Sequence, residues 1–232
     1  MEHQLSALTL WLNALLSSLT GTAVHLPDQG VVAWFIALSC LLTFPLLSRS
    51  FSVDTPGKAQ HLLEIGMESV NAMLDSFIGK NGRDYFTVMG GFAFFILACN
   101  LITNVPGFQP PTAHLNGTVA LGLLSFLYYN YIGLTRNGTT YLKQFLGDPP
   151  WLAPLMIPIE VLSHISRPLS LSVRLFGNIF GEHTLAGVFF GLMPIGLVVV
   201  FAPLGIFVSF MQAFVFTMLS MIYIAGALEH GH

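Results

Sequence analysis

Charged residues are the scarcest feature of this sequence. Only 8% of its 232 residues are Asp, Glu, Lys or Arg, whereas 54% are hydrophobic; soluble domains carry about 25% charged residues. So few charges cannot cover a water-soluble fold of this length, so lipid is the natural solvent for most of the chain. The net charge of −3 gives no sign of nucleic-acid binding.

Cysteine and enzyme motifs are also scarce. The two cysteines, Cys40 and Cys99, each lie in an apolar run without a C-x-x-C spacing, which predicts buried thiols in membrane helices. The sequence has no H-E-x-x-H, no G-x-S-x-G and no phosphate-binding loop, and we expect no cofactor or metal. The first 20 residues lack the basic start of a signal peptide, and Leu5 to Leu19 is predicted as a short helix on the membrane surface.

Long apolar runs are what the sequence has instead. Three uncharged runs, of 17, 21 and 20 residues, are Val31 to Leu47, Tyr85 to Val105 and Leu115 to Leu134, and a spanning helix needs about 20 residues. Thr184 to Leu228 then provides 45 residues without Asp, Glu, Lys, Arg or His. That stretch suits two spans, or two long tilted helices joined near Pro194.

A different pattern separates the first two runs. Between residues 57 and 80, apolar and polar side chains alternate with a helical period, which predicts an interfacial amphipathic helix. Its apolar positions are Leu63, Met67, Val70, Leu74 and Phe77, and its polar positions are Glu64, Glu68, Asn71 and Asp75. This acidic face is interpreted as solvated, and a docking surface for partner subunits is the alternative.

The sequence therefore predicts an all-α polytopic membrane protein with a single membrane domain. It comprises about three upright transmembrane helices, one interfacial helix and, over the C-terminal stretch, either two spans or two long tilted helices. The predicted boundaries are 1–30 (outer segment), 31–48, 57–80 (interfacial), 85–105, 115–135, 152–190 and 195–228. Basic residues lie between the first two spans and after the third: Arg49, Lys58, Lys80, Arg83, Arg136 and Lys143. This distribution predicts an outer N-terminus and a cytoplasmic C-terminus.

Ionisable residues interrupt the apolar segment after residue 151. On a helix of about 100° per residue, Arg167 projects about 20° and Glu160 about 40° from Arg174. Ser163, Ser170 and Asn178 share this side, whereas Leu162, Leu169 and Phe176 lie opposite. A charge within a bilayer is costly, so this polar stripe should face water or a protein partner. Gly177 and Gly181 in G-x-x-x-G spacing would let a partner helix approach.

The charge of Arg174 is permanent, because a guanidinium does not lose its proton in proteins. It can keep a neighbouring carboxylate ionised and repel a passing proton, while Glu182 and His183 can titrate. These residues could instead have purely structural roles. Arg174 could pair with Glu160 or Glu182, and Glu160 could mark the start of the helix. Arg167 could extend to the cytoplasmic interface, and His164 could be a satisfied interfacial histidine.

Two segments resemble a known family. Pro168-Leu-Ser-Leu-Ser-Val-Arg-Leu-Phe-Gly-Asn178 resembles the signature of the a subunit of bacterial and chloroplast F-type ATP synthases, and Phe210-Met-Gln-Ala-Phe-Val-Phe216 resembles its last helix. Three further segments support the resemblance: Thr55 to Lys58, Asn100 to Pro106, and Ile159-Glu160. The similarity runs from about residue 30 to the C-terminus.

The resemblance implies a proton-conducting stator subunit in the bacterial inner membrane. Its partners would be a rotating c-subunit ring, the b subunits of the peripheral stalk, the lipid bilayer and, indirectly, the F1 sector. Arg174 would be the essential fixed charge between two offset aqueous half-channels. The inlet would use Asn178, Glu182, His183 and Gln212, and the outlet would use Glu160, Ser163 and Ser170. Gly205 occupies a position where the family often has His or Glu, so Glu182 and His183 would supply both inlet groups.

Two other functions are compatible with the composition. One is a membrane scaffold subunit that conducts no ions, and the other is a stand-alone secondary transporter. A transporter would be expected to contain internal inverted repeats, which the sequence does not show. The coupling ion is expected to be H⁺ rather than Na⁺, although the c subunit largely sets that choice.

Overall fold

The computed structural model describes residues 7–20, 28–48, 51, 57–79, 82–102, 111–138, 141, 153–192 and 198–229. These residues form α-helices, short 3₁₀ turns and connecting turns, with no strand among them. The predicted all-α class is therefore confirmed. Several residues used above lie outside the described part: Arg49, Thr55, Lys80, Asn104, Pro106, Lys143 and Pro194.

Seven α-helices lie in the described ranges. They are α1 (Ala7–Thr20), α2 (Asp28–Ser48), α3 (Lys58–Phe77), α4 (Phe86–Leu101), α5 (Leu115–Asn137), α6 (Ala153–Leu192) and α7 (Val198–Glu229). Short 3₁₀ turns at Gly82–Tyr85 and Pro111–Ala113 precede α4 and α5. The long uncharged C-terminal stretch thus contributes the end of α6 and most of α7.

Three helical segments of the described chain are long and apolar enough to cross a membrane. They are Gly82–Leu101, Leu115–Asn137 and Pro203–Leu228. The predicted first span corresponds to α2, whose apolar stretch, Gly30–Thr43, is shorter. Charged residues interrupt α6, which is not one of the three. The chain is a multi-pass membrane protein.

Helices α4 to α7 form the packed centre of the described structure. Ile96 of α4, Leu121 of α5, Leu175 of α6 and Phe216 of α7 belong to one buried cluster. A hydrogen bond of 2.8 Å between the buried Ser125 and Ser220 hydroxyls links α5 to α7. These two hydroxyls thus satisfy each other between helices, as an apolar surrounding favours.

Helix α5 approaches α6 closely at Gly122. A Cβ atom added there would lie 2.9 Å from the carbonyl oxygen of Pro168 and would also collide with the Ser172 hydroxyl. Side chains larger than glycine would therefore separate the two helices. This contact fixes the position of the segment that leads to Arg174.

Two peripheral helices extend this centre. α2 packs on α4 through Val32, Ile36 and Cys99. Cys99 is fully buried, but Cys40 is only partly so. The prediction of two buried thiols is therefore wrong for Cys40, because α2 lies at the edge of the bundle and exposes residues such as Leu41.

Helix α3 has the two faces that its sequence predicts. Val70 and Leu74 are buried against Tyr85 and Met89 in a core cluster. Glu68 and Asp75 are exposed, and Asp75 forms an exposed ion pair of 3.5 Å with Arg83. An exposed pair of this kind contributes about 0–1 kcal/mol, so the packing of α3 depends mainly on its apolar face.

Candidate functional site

The candidate site lies on α6, whose inner face is defined by leucine and isoleucine. Leu171, Leu175 and Ile179 recur every fourth residue and are at most 2% exposed, so they share one face of the helix. They pack in the same cluster as Phe216 of α7. This packing fixes the rotation of α6 and directs the neighbouring Arg174 outward.

Arg174 is exposed in the isolated chain. In the part of the chain that is described, no carboxylate lies within ion-pair distance of its guanidinium. Its surroundings on the outer face are mostly apolar, since Leu169 is 61% exposed, Val173 51% and Phe180 56%, although Ser170 and Asn178 are exposed as well. The interpretation of Arg174 as the ion-pair partner of Glu160 or Glu182 is therefore wrong, since Glu160 instead contacts His164.

Asn178, one turn after Arg174, joins α6 to α7. Its amide nitrogen donates a hydrogen bond to the side-chain oxygen of Gln212. Gln212 is only 3% exposed, whereas Asn178 is exposed. The pair places two amide groups, which can both donate and accept protons in hydrogen bonds, directly beside the outer face that carries Arg174.

Titratable groups flank Arg174 on both sides along α6. At about 1.5 Å per residue, Glu182 lies about 12 Å beyond Arg174 and Glu160 about 21 Å before it. Both carboxylates are partly exposed. The side chain of His183 is outside the described part. Gly205 is buried in α7. Because glycine has no side chain, this position offers no titratable group.

The two predicted serines differ in their surroundings. Ser170 is exposed and Ser163 is partly buried. The Ser163 carbonyl oxygen accepts a 2.8 Å hydrogen bond from the Ser166 hydroxyl. The structure therefore places Ser170 on the same outer surface as Arg174, and Ser163 nearer to the helix bundle.

A polar cluster that the sequence analysis did not identify surrounds Glu160. The His164 Nε2 atom lies 3.5 Å from Glu160 Oε1, and His164 Nδ1 lies 3.0 Å from the hydroxyl of Tyr129 on α5. His164 is only 4% exposed, so it is packed within the helix bundle; its position at the membrane interface stays a prediction. The (i, i+4) spacing of Glu160 and His164 was the available signal, but nothing in the sequence placed Tyr129 beside them.

Arg167 belongs to the same cluster. Its guanidinium carbon lies 5.8 Å from the ring centre of Tyr129 and 5.3 Å from that of Tyr223 on α7. These distances suit cation–π contacts. The helical projection put Arg167 and Arg174 on one side of α6, yet the two have different neighbours, because only Arg167 lies opposite the two tyrosine rings.

A metal site has no basis in the described residues. No group of three His, Cys, Asp or Glu side chains converges there. The side chains of the site are carboxylate, imidazole, amide and hydroxyl groups, which can donate or accept hydrogen bonds, next to the permanent positive charge of Arg174.

Comparison with known proteins adds a family to this geometry. The profile of the family described as "ATP synthase A chain" matches residues 30–225. The chain belongs to this family. The matched range includes α3 to α6 and most of α7, and therefore every residue proposed above for the site.

Individual members of the family are similar over most of their length. "ATP synthase subunit a 1" of Syntrophotalea carbinolica is 46% identical over 200 residues, which cover 86% of this chain and 85% of that protein. "ATP synthase subunit a" of Geobacter sulfurreducens is 40% identical over 213 residues, which cover 90% and 93%. The family membership supports the predicted resemblance, and the roles of single residues remain predictions.

Proposed function

We propose that the chain is the proton-conducting stator subunit of a bacterial F-type ATP synthase. The observation that carries the proposal is the outward-facing Arg174, which has no ion-pair partner among the described residues and has a titratable carboxylate on each side along one helix. An uncompensated cation on an apolar face is costly in lipid. A carboxylate from another polypeptide that moves past Arg174 would explain why the charge lies there.

The moving carboxylate would belong to a ring of c subunits. The outer face of α6 suits such a partner, because it is apolar and carries Gly177, where nothing lies within 4 Å of an added Cβ atom. Neutral carboxylic acids can enter lipid at much lower cost than carboxylates. Arg174 would therefore attract the ionised form only at this one place on the ring's path.

Two half-channels would reach the ring from opposite sides of the membrane. Protons would enter from outside along Gln212, Asn178, Glu182 and His183, and would leave to the cytoplasm past Ser170, Ser163 and Glu160. Arg174 lies between the two groups, so its charge would prevent a proton from crossing directly. A membrane potential of 100 mV supplies about 2.3 kcal/mol for each charge that crosses.

We also propose a membrane, an orientation and partner subunits for the chain. It would lie in the bacterial inner membrane with the N-terminus outside and the C-terminus in the cytoplasm. It would contact the b subunits of the peripheral stalk and, through them, the F1 sector. The subunit itself would catalyse no covalent reaction, since ATP would form on other subunits.

A scaffold subunit and a secondary transporter are the alternatives. A scaffold would have no need for an exposed arginine that has no ion-pair partner in the described part of the chain. A transporter would conduct without partner subunits, and an arginine that faces outward would then have no task. The exposed position of Arg174 thus favours a conducting subunit with a partner.

Reconstitution tests the proposal. Vesicles containing the ATP synthase with this subunit are expected to acidify when ATP is added, and to conduct protons under a potassium diffusion potential once F1 is removed. Complexes assembled without the chain should hydrolyse ATP but move no protons. Proton flow that is undiminished without this chain, or full flow through the chain alone, would contradict the proposal.

A further inference from the structure

The polar cluster around Glu160 contains three side chains that contact one another in a row. Tyr129, His164 and Glu160 form a chain of contacts in which the imidazole lies between a hydroxyl and a carboxylate. Tyr129 is 1% exposed and His164 is 4% exposed, while Glu160 lies at the open end. The chain therefore runs from the interior of the bundle to its surface.

The carboxylate favours one arrangement of protons on the imidazole. His164 Nε2 lies 3.5 Å from Glu160 Oε1, a close contact that does not reach hydrogen-bond geometry. An ionised carboxylate only accepts protons, so this contact favours the tautomer that carries the proton on Nε2. In that neutral imidazole Nδ1 is an acceptor, and the Tyr129 hydroxyl donates to it at 3.0 Å, which supports the tautomer whose N–H faces Glu160.

Surrounding rings hold this arrangement in place. The Tyr141 ring meets the His164 ring edge-on, with centres 6.5 Å apart, and Gly133 allows Tyr141 to approach, because an added Cβ would lie 2.6 Å from that ring. The Tyr141 hydroxyl donates to Asn130 Oδ1 at 3.0 Å. Burial raises the pKa of Tyr141 to about 12, so this donor keeps its proton at neutral pH.

Arg167 also packs against Tyr129. Its guanidinium carbon lies over the rings of Tyr129 and Tyr223, and the Tyr129 ring further contacts Phe126 edge-on. These contacts help to hold the Tyr129 ring in the position from which its hydroxyl reaches His164. Such locking of a functional side chain by a supporting shell is how precise sites maintain their geometry.

We propose that Tyr129 and His164 are positioning residues that hold the Glu160 carboxylate in one orientation at the proton outlet. This inference rests on the proposed function, because it assigns a task to residues behind the proposed exit. The partly exposed Glu160 side chain would otherwise sample several rotamers. A fixed carboxylate presents the same oxygen to each departing proton, and orientation of this kind speeds transfer.

The test uses the complete ATP synthase in vesicles, with F1 removed, and measures proton conduction under a diffusion potential. Tyr129→Phe keeps the ring that Arg167 needs and removes only the hydroxyl. It is expected to slow conduction about two- to tenfold, the factor that corresponds to one ordinary hydrogen bond. His164→Asn should slow it at least as much. Tyr223→Phe is the matched control, because it removes a hydroxyl from the other ring beside Arg167, and it should conduct like the wild type.

A double-mutant cycle separates positioning from folding. If Tyr129 acts through Glu160, Tyr129→Phe should cause no further loss in a Glu160→Ala background, whereas a general structural defect would multiply with it. Equal losses in both backgrounds, or conduction by Tyr129→Phe at the wild-type rate, would overturn the inference. The proposed function fails separately, if the wild-type complex itself does not conduct or if Arg174→Gln has no effect.

Discussion

Replacement of Arg174 by glutamine is expected to abolish coupled proton flow while the complex still assembles. Glutamine keeps much of the side-chain length but removes the permanent charge, and loss of one preorganised charge typically slows a reaction about 100-fold or more. The packing of α6 should survive, because Leu171, Leu175 and Ile179 form its buried face and Arg174 is exposed. ATP-driven acidification of vesicles, with subunit content measured on the same sample, checks both parts.

Two further variants make this test specific. Arg174→Lys is also expected to fail, because a lysine in a dry site can lose its proton, whereas arginine does not. Arg136→Gln is the matched control: Arg136 is an exposed arginine on α5 in an exposed 3.3 Å ion pair with Asp84, so its loss should change pumping little. Normal pumping by Arg174→Gln would refute the role assigned to this residue.

Replacement of Gly122 by valine is expected to destabilise the subunit by about 3 kcal/mol or more. The added Cβ would lie 2.9 Å from the Pro168 carbonyl oxygen, which belongs to the α6 backbone and cannot rotate away. Over-packing of a tight contact typically costs about 1–3 kcal/mol, and more where backbone must move. The measurement is the thermal unfolding midpoint of the purified complex, together with the amount of subunit retained in membranes.

The matched control is the same substitution at Gly91 of α4. Nothing lies within 4 Å of a Cβ added there, so Gly91→Val should leave the amount of subunit and the unfolding midpoint nearly unchanged. A Gly122→Val complex as stable as the Gly91→Val complex would show that α5 and α6 do not approach each other as described. Conduction is not the readout, so the result is independent of the proposed function.

The helices were predictable because the sequence patterns are local. The uncharged runs predicted helices over 85–105 and 115–135, and the structure has α4 at Phe86–Leu101 and α5 at Leu115–Asn137. The amphipathic period predicted an interfacial helix over 57–80, where α3 comprises Lys58–Phe77. These features follow from composition and period alone.

The polar cluster at Glu160 was not predictable in the same way. Tyr129 and Tyr223 reach His164 and Arg167 only because α5 and α7 pack against α6, and single-helix projections contain no information about such neighbours. The projection placed Arg167 and Arg174 on the same side of α6. In the structure Arg167 lies over two tyrosine rings, whereas Arg174 forms no ion pair with any described side chain. Tertiary packing, rather than the spacing of residues along α6, made that difference.

Disulfide cross-linking tests the central claim most directly. In a complex with Cys40 and Cys99 replaced by alanine, Gly177→Cys on the face that carries Arg174 would be combined with a cysteine next to the carboxylate of the c subunit. The account predicts rapid cross-linking that stops proton flow until the disulfide is reduced, and no cross-link from Leu127→Cys on the exposed face of α5. Absence of the first cross-link, with position 177 open to water-soluble thiol reagents in the assembled complex, would contradict it.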